Sequence, residues 1–130
     1  MADMSVEQII KNEFRMNPFP GIKTPEEYAY AIKKAVDDGC ELIHSGDYLF
    51  LCKEIGDGVV DIMSLEGKKS DEDLLKNLFK ALLQLRQKGY KEADIPFDDK
   101  GMISLLKKLP VLPVSFEQAD DGYVAKVRLA

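Results

Sequence analysis

The chain has no tryptophan, one histidine (His44) and two cysteines among its 130 residues. Two cysteines cannot build a disulfide framework or a zinc site. A single histidine excludes histidine-rich metal sites and any catalytic triad that needs a second one. We therefore expect no bound metal, and both cysteines are expected to be reduced thiols in a reducing compartment.

Acidic residues outnumber basic ones, and long apolar runs are absent. The net charge of −5 argues against a general nucleic-acid binder, because such a protein presents a basic face to the phosphate backbone. No apolar run approaches the roughly 20 residues that span a bilayer. Residues 1–10 are acidic rather than signal-like. The expectation is a soluble, cytoplasmic protein with no membrane or nucleic-acid partner.

The strongest structural signal is the stretch over residues 70–89. Leucines and Phe79 recur there at steps of three and four residues, which is the period of an amphipathic helix. Ser70 suits the N-cap, three acids follow it, and Gly89 suits the left-handed position after the last turn. The spacing predicts a helix about 28 Å long that lies across a sheet.

Shorter patterns on both sides of this stretch predict the remaining elements. They are helices over 5–13, 24–39 and 99–109, a hairpin that turns at 45–47, strands over 59–65 and 90–97, and a last hairpin around 120–122.

The first hairpin sets the relation between the two cysteines. With the turn centred on Gly46, the numbers of facing residues sum to 92, and Cys40 lies opposite Cys52. A two-residue turn at Gly46 and Asp47 would instead shift the register by one and separate them. A structural role is expected for both thiols, because a nucleophilic cysteine needs a nearby base.

The segment over residues 14–23 contains Pro18 and Pro20 and is predicted to be irregular. Phe14, Met16 and Phe19 make it unusually apolar. Two interpretations stay open. Either these side chains pack on the domain, or they bind a protein partner or a second copy of the chain.

The predicted order is helix, three antiparallel strands, long helix, strand, short helix and two strands. From residue 24 to the C terminus this order resembles the Gcn5-related N-acetyltransferase (GNAT) fold, and ALLQLRQKGYKEADIPFDDKGMISLLKKLPV looks most like the family. The resemblance implies an α/β (α+β) domain over residues 24–130, with a mostly antiparallel central sheet and helices on both faces. Residues 1–23 would form an N-terminal arm with a short helix.

The resemblance also implies where acetyl-CoA would bind. The family holds the cofactor's pyrophosphate on a glycine-rich turn that opens the long helix, where backbone amides approach phosphate at a positive helix end. The matching residues here are Gly67, Lys68, Lys69 and Ser70. Only one glycine remains, and the acids at 71–73 would repel a pyrophosphate, so we expect no cofactor.

The family's catalytic positions are altered as well. Where the family often carries a tyrosine as general acid, this chain has Leu106, which cannot donate a proton. If the chain is an enzyme, the candidates for a general base are the carboxylates on or after the central strands, Glu54, Asp61 and Glu66.

These departures favour a non-catalytic acetyltransferase-like module with a structural or protein-interaction role. Small acidic proteins of this kind resemble bacteriophage accessory and virion-associated proteins, which implies a location in the cytoplasm or inside a phage particle. The alternative is a divergent acetyl-CoA-dependent N-acetyltransferase in which residues 67–70 hold the cofactor. A small-ligand domain that uses the cleft between splayed middle strands is a third hypothesis.

Overall fold

The computed structural model describes residues 4–66 and 71–130. Four helices and six strands follow one another in these residues. In chain order they are α1 (Val6–Met16), α2 (Pro25–Asp37), β1 (Glu41–Ser45), β2 (Tyr48–Gly56), β3 (Val59–Glu66), α3 (Asp71–Gln87), β4 (Glu92–Phe97), α4 (Gly101–Leu106), β5 (Val114–Ala119) and β6 (Gly122–Arg128).

The six strands form a single sheet in the order β1-β2-β3-β4-β6-β5. Every neighbouring pair is antiparallel except β3 and β4, which run parallel with α3 as the crossover between them. Helices α3 and α4 cover one face of the sheet, and α1 and α2 cover the other. The predicted fold class, an α/β domain with a mostly antiparallel sheet and helices on both faces, is confirmed.

Helix α3 supplies the main core, as its leucine pattern predicts. Leu74, Leu78, Leu82 and Leu85 are buried against strands β1 to β4 and β6 and against α4. The leucine stripe points inward because residues three and four apart share one face of a helix. Ser70, the predicted N-cap, lies outside the described residues. Helix α4 is shorter than predicted, because its regular part ends at Leu106.

Helices α1 and α2 form a second core on the opposite face. Ile9 and Ile10 of α1 are buried with Tyr28 of α2 over Leu49 and Leu65 of the sheet. Two features stabilise α1: the capping box at Ser5 and the apolar stripe that this packing buries. The predicted boundary between residues 1–23 and 24–130 implies that the second part folds alone, and this stays a prediction.

Helix α1 also extends further than predicted. It runs to Met16, so Phe14 and Met16 are helical, and the interpretation of residues 14–23 as wholly irregular is wrong at its start. The prolines act only from Pro18 onward, because a proline disfavours helix at the residue before it and not several residues earlier.

The register of the β1–β2 hairpin differs from the main prediction. Ser45 pairs with Tyr48, so the turn has two residues, Gly46 and Asp47, and Glu41 faces Cys52. Gly46 adopts φ +58°, which a glycine tolerates at the first position of a two-residue hairpin turn. Cys40 therefore lies before β1 and half-buried, whereas Cys52 is buried. Burial is the main cause that raises the pKa of the Cys52 thiol to about 12.

Candidate functional site

Strands β3 and β4, in the middle of the sheet, are paired at one end and separate at the other. They pair only at Val59–Glu92, Val60–Ala93 and Asp61–Asp94, although β3 continues to Glu66 and β4 to Phe97. Within residues 4–66 and 71–130, the C-terminal halves of both strands therefore have no strand partner on that side. Asp61 and Asp94 are the last paired residues, at the apex of the opening.

A row of charged residues crosses the sheet at this apex. Lys53 faces Asp61, Asp61 faces Asp94, and Asp94 faces Lys126 on successive strands. Directly paired residues share a face of a sheet. The neighbours Val60 and Ala93 belong to the core under α3, so the charged row lies on the α1–α2 face. Two carboxylates thus meet at the centre, with a lysine on either side.

Asp94 is the buried member of this row. It is 7% exposed, and its Oδ1 has no hydrogen-bond partner among the described residues, while its Oδ2 lies 3.7 Å from Lys126 Nζ. Glu92 and Glu117 also approach Lys126, at 3.8 and 3.7 Å. One lysine therefore serves three carboxylates. A buried carboxylate oxygen without a donor is uncommon in folded proteins.

The titration of Asp61 reflects this crowding. Burial raises its pKa above the ordinary value of 3.8, the charge of Asp94 raises it further, and Lys53 opposes both effects. The pKa of Glu92 is also raised, first by a hydrogen bond with Asp94 and then by burial. The raised pKa values of Asp61 and Glu92 follow because a proton on either carboxyl relieves repulsion within the cluster.

A groove lies beside the row, between α2 and strands β2 and β3. One end is an apolar cavity of about 140 Å³, and the other is a cavity of about 640 Å³ that Asp38, Glu54 and Asp61 line together with Lys53. Leu51 and Met63 line both cavities and so join them. The apolar end is walled by Phe19, Ile22, Tyr28, Ala31, Ile32, Leu51 and Met63.

The three predicted base candidates have different surroundings. Asp61 stands at the apex of the opening, and Glu54 is exposed on β2 beside the register shift between Glu54 and Gly56. Both line the larger cavity. Glu66 ends β3, and its side chain lies outside the described residues. Asp94 was missed from sequence. Asp94 lies between Ala93 and Ile95 on a strand, so the sequence predicts that its side chain takes the opposite face. Its pairing with Asp61 cannot be predicted without the order of the strands in the sheet.

The predicted cofactor residues Gly67, Lys68, Lys69 and Ser70 lie outside the described residues. The next turn is described: Asp71, Glu72 and Asp73 are exposed in the first turn of α3. These carboxylates do not suit a pyrophosphate, because they place negative charge where the helix end attracts anions. Leu106 is fully buried in the core, so α4 offers no proton donor at that position.

The predicted partner-binding residues divide into packed and exposed side chains. Phe14 is half-buried and meets Tyr28 edge to face, with ring centroids 6.4 Å apart. Phe19 also meets Tyr28 at 6.4 Å, yet it is 52% exposed at the apolar end of the groove. Met16 is exposed at the end of α1. Their role in partner binding stays a prediction.

The described residues were compared with what a membrane-spanning helix and a metal site require. No helix within 4–66 and 71–130 is long and apolar enough to cross a membrane. In the same residues, no group of three or more His, Cys, Asp or Glu side chains is arranged to hold a metal ion.

No protein-family model and no curated protein matches this chain. Solved structures do. A GNAT superfamily phosphinothricin acetyltransferase from Sinorhizobium meliloti, in complex with AcCoA, superposes with a TM-score of 0.63 at 9% identity, over 98% of this chain and 85% of that one. An N-acetyltransferase from Staphylococcus aureus Mu50 gives 0.60 at 9% identity, over 95% of this chain and 92% of that one.

A third similar structure is a domain from Methanocaldococcus jannaschii DSM 2661. It gives a TM-score of 0.58 at 13% identity, over 98% of this chain and 96% of that one. At such low identities these comparisons show the fold alone. The chain therefore has an acetyltransferase-like fold, as the resemblance in its sequence implied.

Proposed function

We propose that this acetyltransferase-like chain is a non-catalytic module that works through protein–protein contact. The observation that carries the proposal is the groove between α2 and strands β2 and β3. Its apolar end is open to solvent, with Phe19 52% and Met63 37% exposed. Contiguous apolar side chains that stay exposed in a folded protein commonly mark a contact surface.

The start of α3 supports the non-catalytic part of the proposal. A pyrophosphate at this helix end would meet Asp71, Glu72 and Asp73. Each like charge at about 4–6 Å opposes binding by roughly 0.5–1 kcal/mol or more in partly screened surroundings. The buried Leu106 supports it too, because a leucine cannot protonate a departing thiolate.

The location that we propose for the protein comes from the sequence resemblance. Modules of this kind resemble bacteriophage accessory proteins. We therefore propose a protein that acts in the cytoplasm or inside a phage particle, with a protein partner or with further copies of itself.

The second candidate function is a divergent acetyl-CoA-dependent N-acetyltransferase. The pair of Asp61 and Asp94 at the apex of the strand opening favours it, because the pKa of Asp61 is raised and a carboxyl of this kind suits proton transfer. In this candidate, residues 67–70 would hold the cofactor, and Asp61 would be the first carboxylate to mutate, followed by Glu54 and Glu66.

Calorimetric titration with acetyl-CoA separates the two functions. We expect no heat of binding at cofactor concentrations in the tens of micromolar, which corresponds to an affinity weaker than about −6 kcal/mol. The matched variant replaces Asp71, Glu72 and Asp73 with Gly, Ala and Gly. Weak binding by that variant alone would identify the acids as the obstacle. Low-micromolar binding by the unmodified chain would overturn the non-catalytic proposal in favour of the enzyme.

A further inference from the structure

The loop between α4 and β5 holds an apolar side chain out in solvent. Val111 is 85% exposed, more than any other large apolar residue in the described part of the chain. Its neighbours Leu109 and Leu112 are both buried, and the Leu112 amide donates to the Pro110 carbonyl at 2.7 Å. The two buried leucines anchor the loop on both sides, so Val111 stands at the tip of a tight turn.

The backbone of this tip is unfavourable for valine. Val111 has φ +68°, and it is the only residue other than glycine with a positive φ in the described part of the chain. A β-branched residue rarely adopts this conformation. Lys107 and Lys108, just before the tip, are both exposed. The surface therefore carries a protruding apolar side chain beside two cations, and we name residues 107–111 the tip segment.

The groove offers the complementary surface. Its apolar cavity of about 140 Å³ suits one aliphatic side chain, and the adjoining cavity carries Asp38, Glu54 and Asp61 against the single cation Lys53. Met63 and Asp61 are two residues apart on one face of β3, a separation of about 7 Å. A valine and a lysine three or four residues away can span such a distance.

We propose that the tip segment of one copy of the chain docks in the groove of a second copy. Val111 enters the apolar cavity between Phe19 and Met63, and Lys107 and Lys108 face the carboxylates at the other end. The inference rests on the proposed contact function, and it identifies what binds in the groove as a second copy of the chain.

The geometry sets the type of assembly. The tip segment follows α4, on the α3–α4 side of the sheet, whereas the groove lies on the α1–α2 side. Two different surfaces thus meet, and each copy keeps one of each free. Contacts of this heterologous kind close into rings or grow into open chains. Association should therefore increase with concentration, toward a closed ring or a growing chain.

Sedimentation of the full chain tests the contact. From about 10 to about 500 μM, the average mass should rise above the 14.6 kDa of one chain. Val111→Gly removes the knob and suits the positive φ, so it should fold and associate at least about tenfold more weakly. Tyr30→Ser is the matched control, because Tyr30 is an exposed apolar residue outside the groove. It should associate like the unmodified chain.

A charge exchange makes the test specific. The double variants Lys107→Glu/Lys108→Glu and Asp38→Lys/Glu54→Lys change exposed residues only. Each should stay monomeric alone, because like charges then meet at the contact. When the two are mixed, the reversed groove should accept the reversed tip and restore association. Melting by circular dichroism verifies that every variant is folded.

The outcomes are distinct. A monomer at the highest concentration, or unchanged association in both Val111→Gly and the charge variants, would overturn the inference. A partner of another kind would then have to fill the groove. Neither result bears on acetyl-CoA binding. Low-micromolar cofactor binding would overturn the proposed function and leave the association measured here standing.

Discussion

At the scale of single residues, the most consequential pair is Asp61 and Asp94. Asp94 brings a buried carboxylate next to Asp61, and the pair is only partly compensated by lysines on the two flanking strands. The pKa of Asp61 is raised in the folded chain, so its carboxyl stabilises the fold while it is protonated. That contribution is fully present below the unfolded pKa and is lost as the pH rises through the raised value.

This arrangement predicts a measurable change in Asp94→Asn. Removal of the Asp94 charge should lower the pKa of Asp61, because that charge is the second cause of the raised value. The fall should be partial, since burial remains. Carboxyl chemical shifts followed by NMR from pH 3 to pH 7 give the titration of Asp61 in the unmodified chain and in the variant. An identical titration of Asp61 in both proteins would show that the two side chains do not interact.

The raised pKa of Asp61 also determines how the loss of this carboxyl changes stability at different pH values. Asp61→Asn removes a carboxyl whose ionisation disfavours the fold. Compared with the unmodified chain, this variant should therefore have a larger free energy of unfolding at pH 7 than at pH 3. The gain should stay below about 1 kcal/mol, because the side chain is partly exposed and solvent screens the charges. Urea titrations at the two pH values measure it. A gain that is larger at pH 3 would contradict the argument.

At the scale of elements, α3 was the most predictable part of the chain. Its leucine spacing, acidic first turn and terminal glycine all point to the same helix, and the packing uses that stripe. The hairpin β1–β2 was predictable in kind but not in register. Turns centred on Gly46 or on Gly46 and Asp47 fit the sequence equally, and they differ by one residue.

The observed turn is stabilised by contacts remote in sequence. Ser45 Oγ donates to Asn77 Oδ1 at 2.7 Å, and a Cβ on Gly46 would lie 2.7 Å from the same atom. Asn77 in turn donates from Nδ2 to the Asp73 carbonyl in α3. The register therefore depends on how α3 seats on the sheet, which local pattern alone does not contain.

The burial of α3 predicts a large cost for Leu82→Ala. The side chain is fully buried, so its truncation should lower the free energy of unfolding by roughly 2–5 kcal/mol through lost burial and an unfilled cavity. Lys80→Ala is the matched control on the exposed side of the same helix and should change stability by less than about 0.5 kcal/mol. Chemical denaturation measures both. Equal, small effects would remove α3 from the core.

At the scale of the whole molecule, the order of elements was predictable and the strand order was not. Asp61 was named as a candidate from its place on a strand, yet Asp94 became relevant only because β3 and β4 lie side by side and then separate. The groove depends in the same way on α2 packing over β2 and β3. Sites assembled from distant segments require the topology, since pattern alone shows only which face a residue takes.

Helix α1 covers part of the core that residues 24–130 would otherwise expose. Ile9 and Ile10 are buried against Tyr28, Leu49 and Leu65, so removal of residues 1–16 would expose apolar surface on both α2 and the sheet. Each buried isoleucine contributes about 1.5–3 kcal/mol. The stability of a small domain is only about 5–15 kcal/mol in total. We therefore expect the truncated chain to be unfolded or to melt far below the full chain.

Point variants make this expectation quantitative. Ile9→Ala should cost about 2–5 kcal/mol, and Lys11→Ala, on the exposed side of α1, should cost less than about 0.5 kcal/mol. Thermal melts of these variants and of the truncated chain are compared at one protein concentration, so that any self-association contributes equally. If the truncated chain instead melts cooperatively near the full chain, α1 is dispensable. The boundary after residue 23 that the sequence predicts would then be the true one.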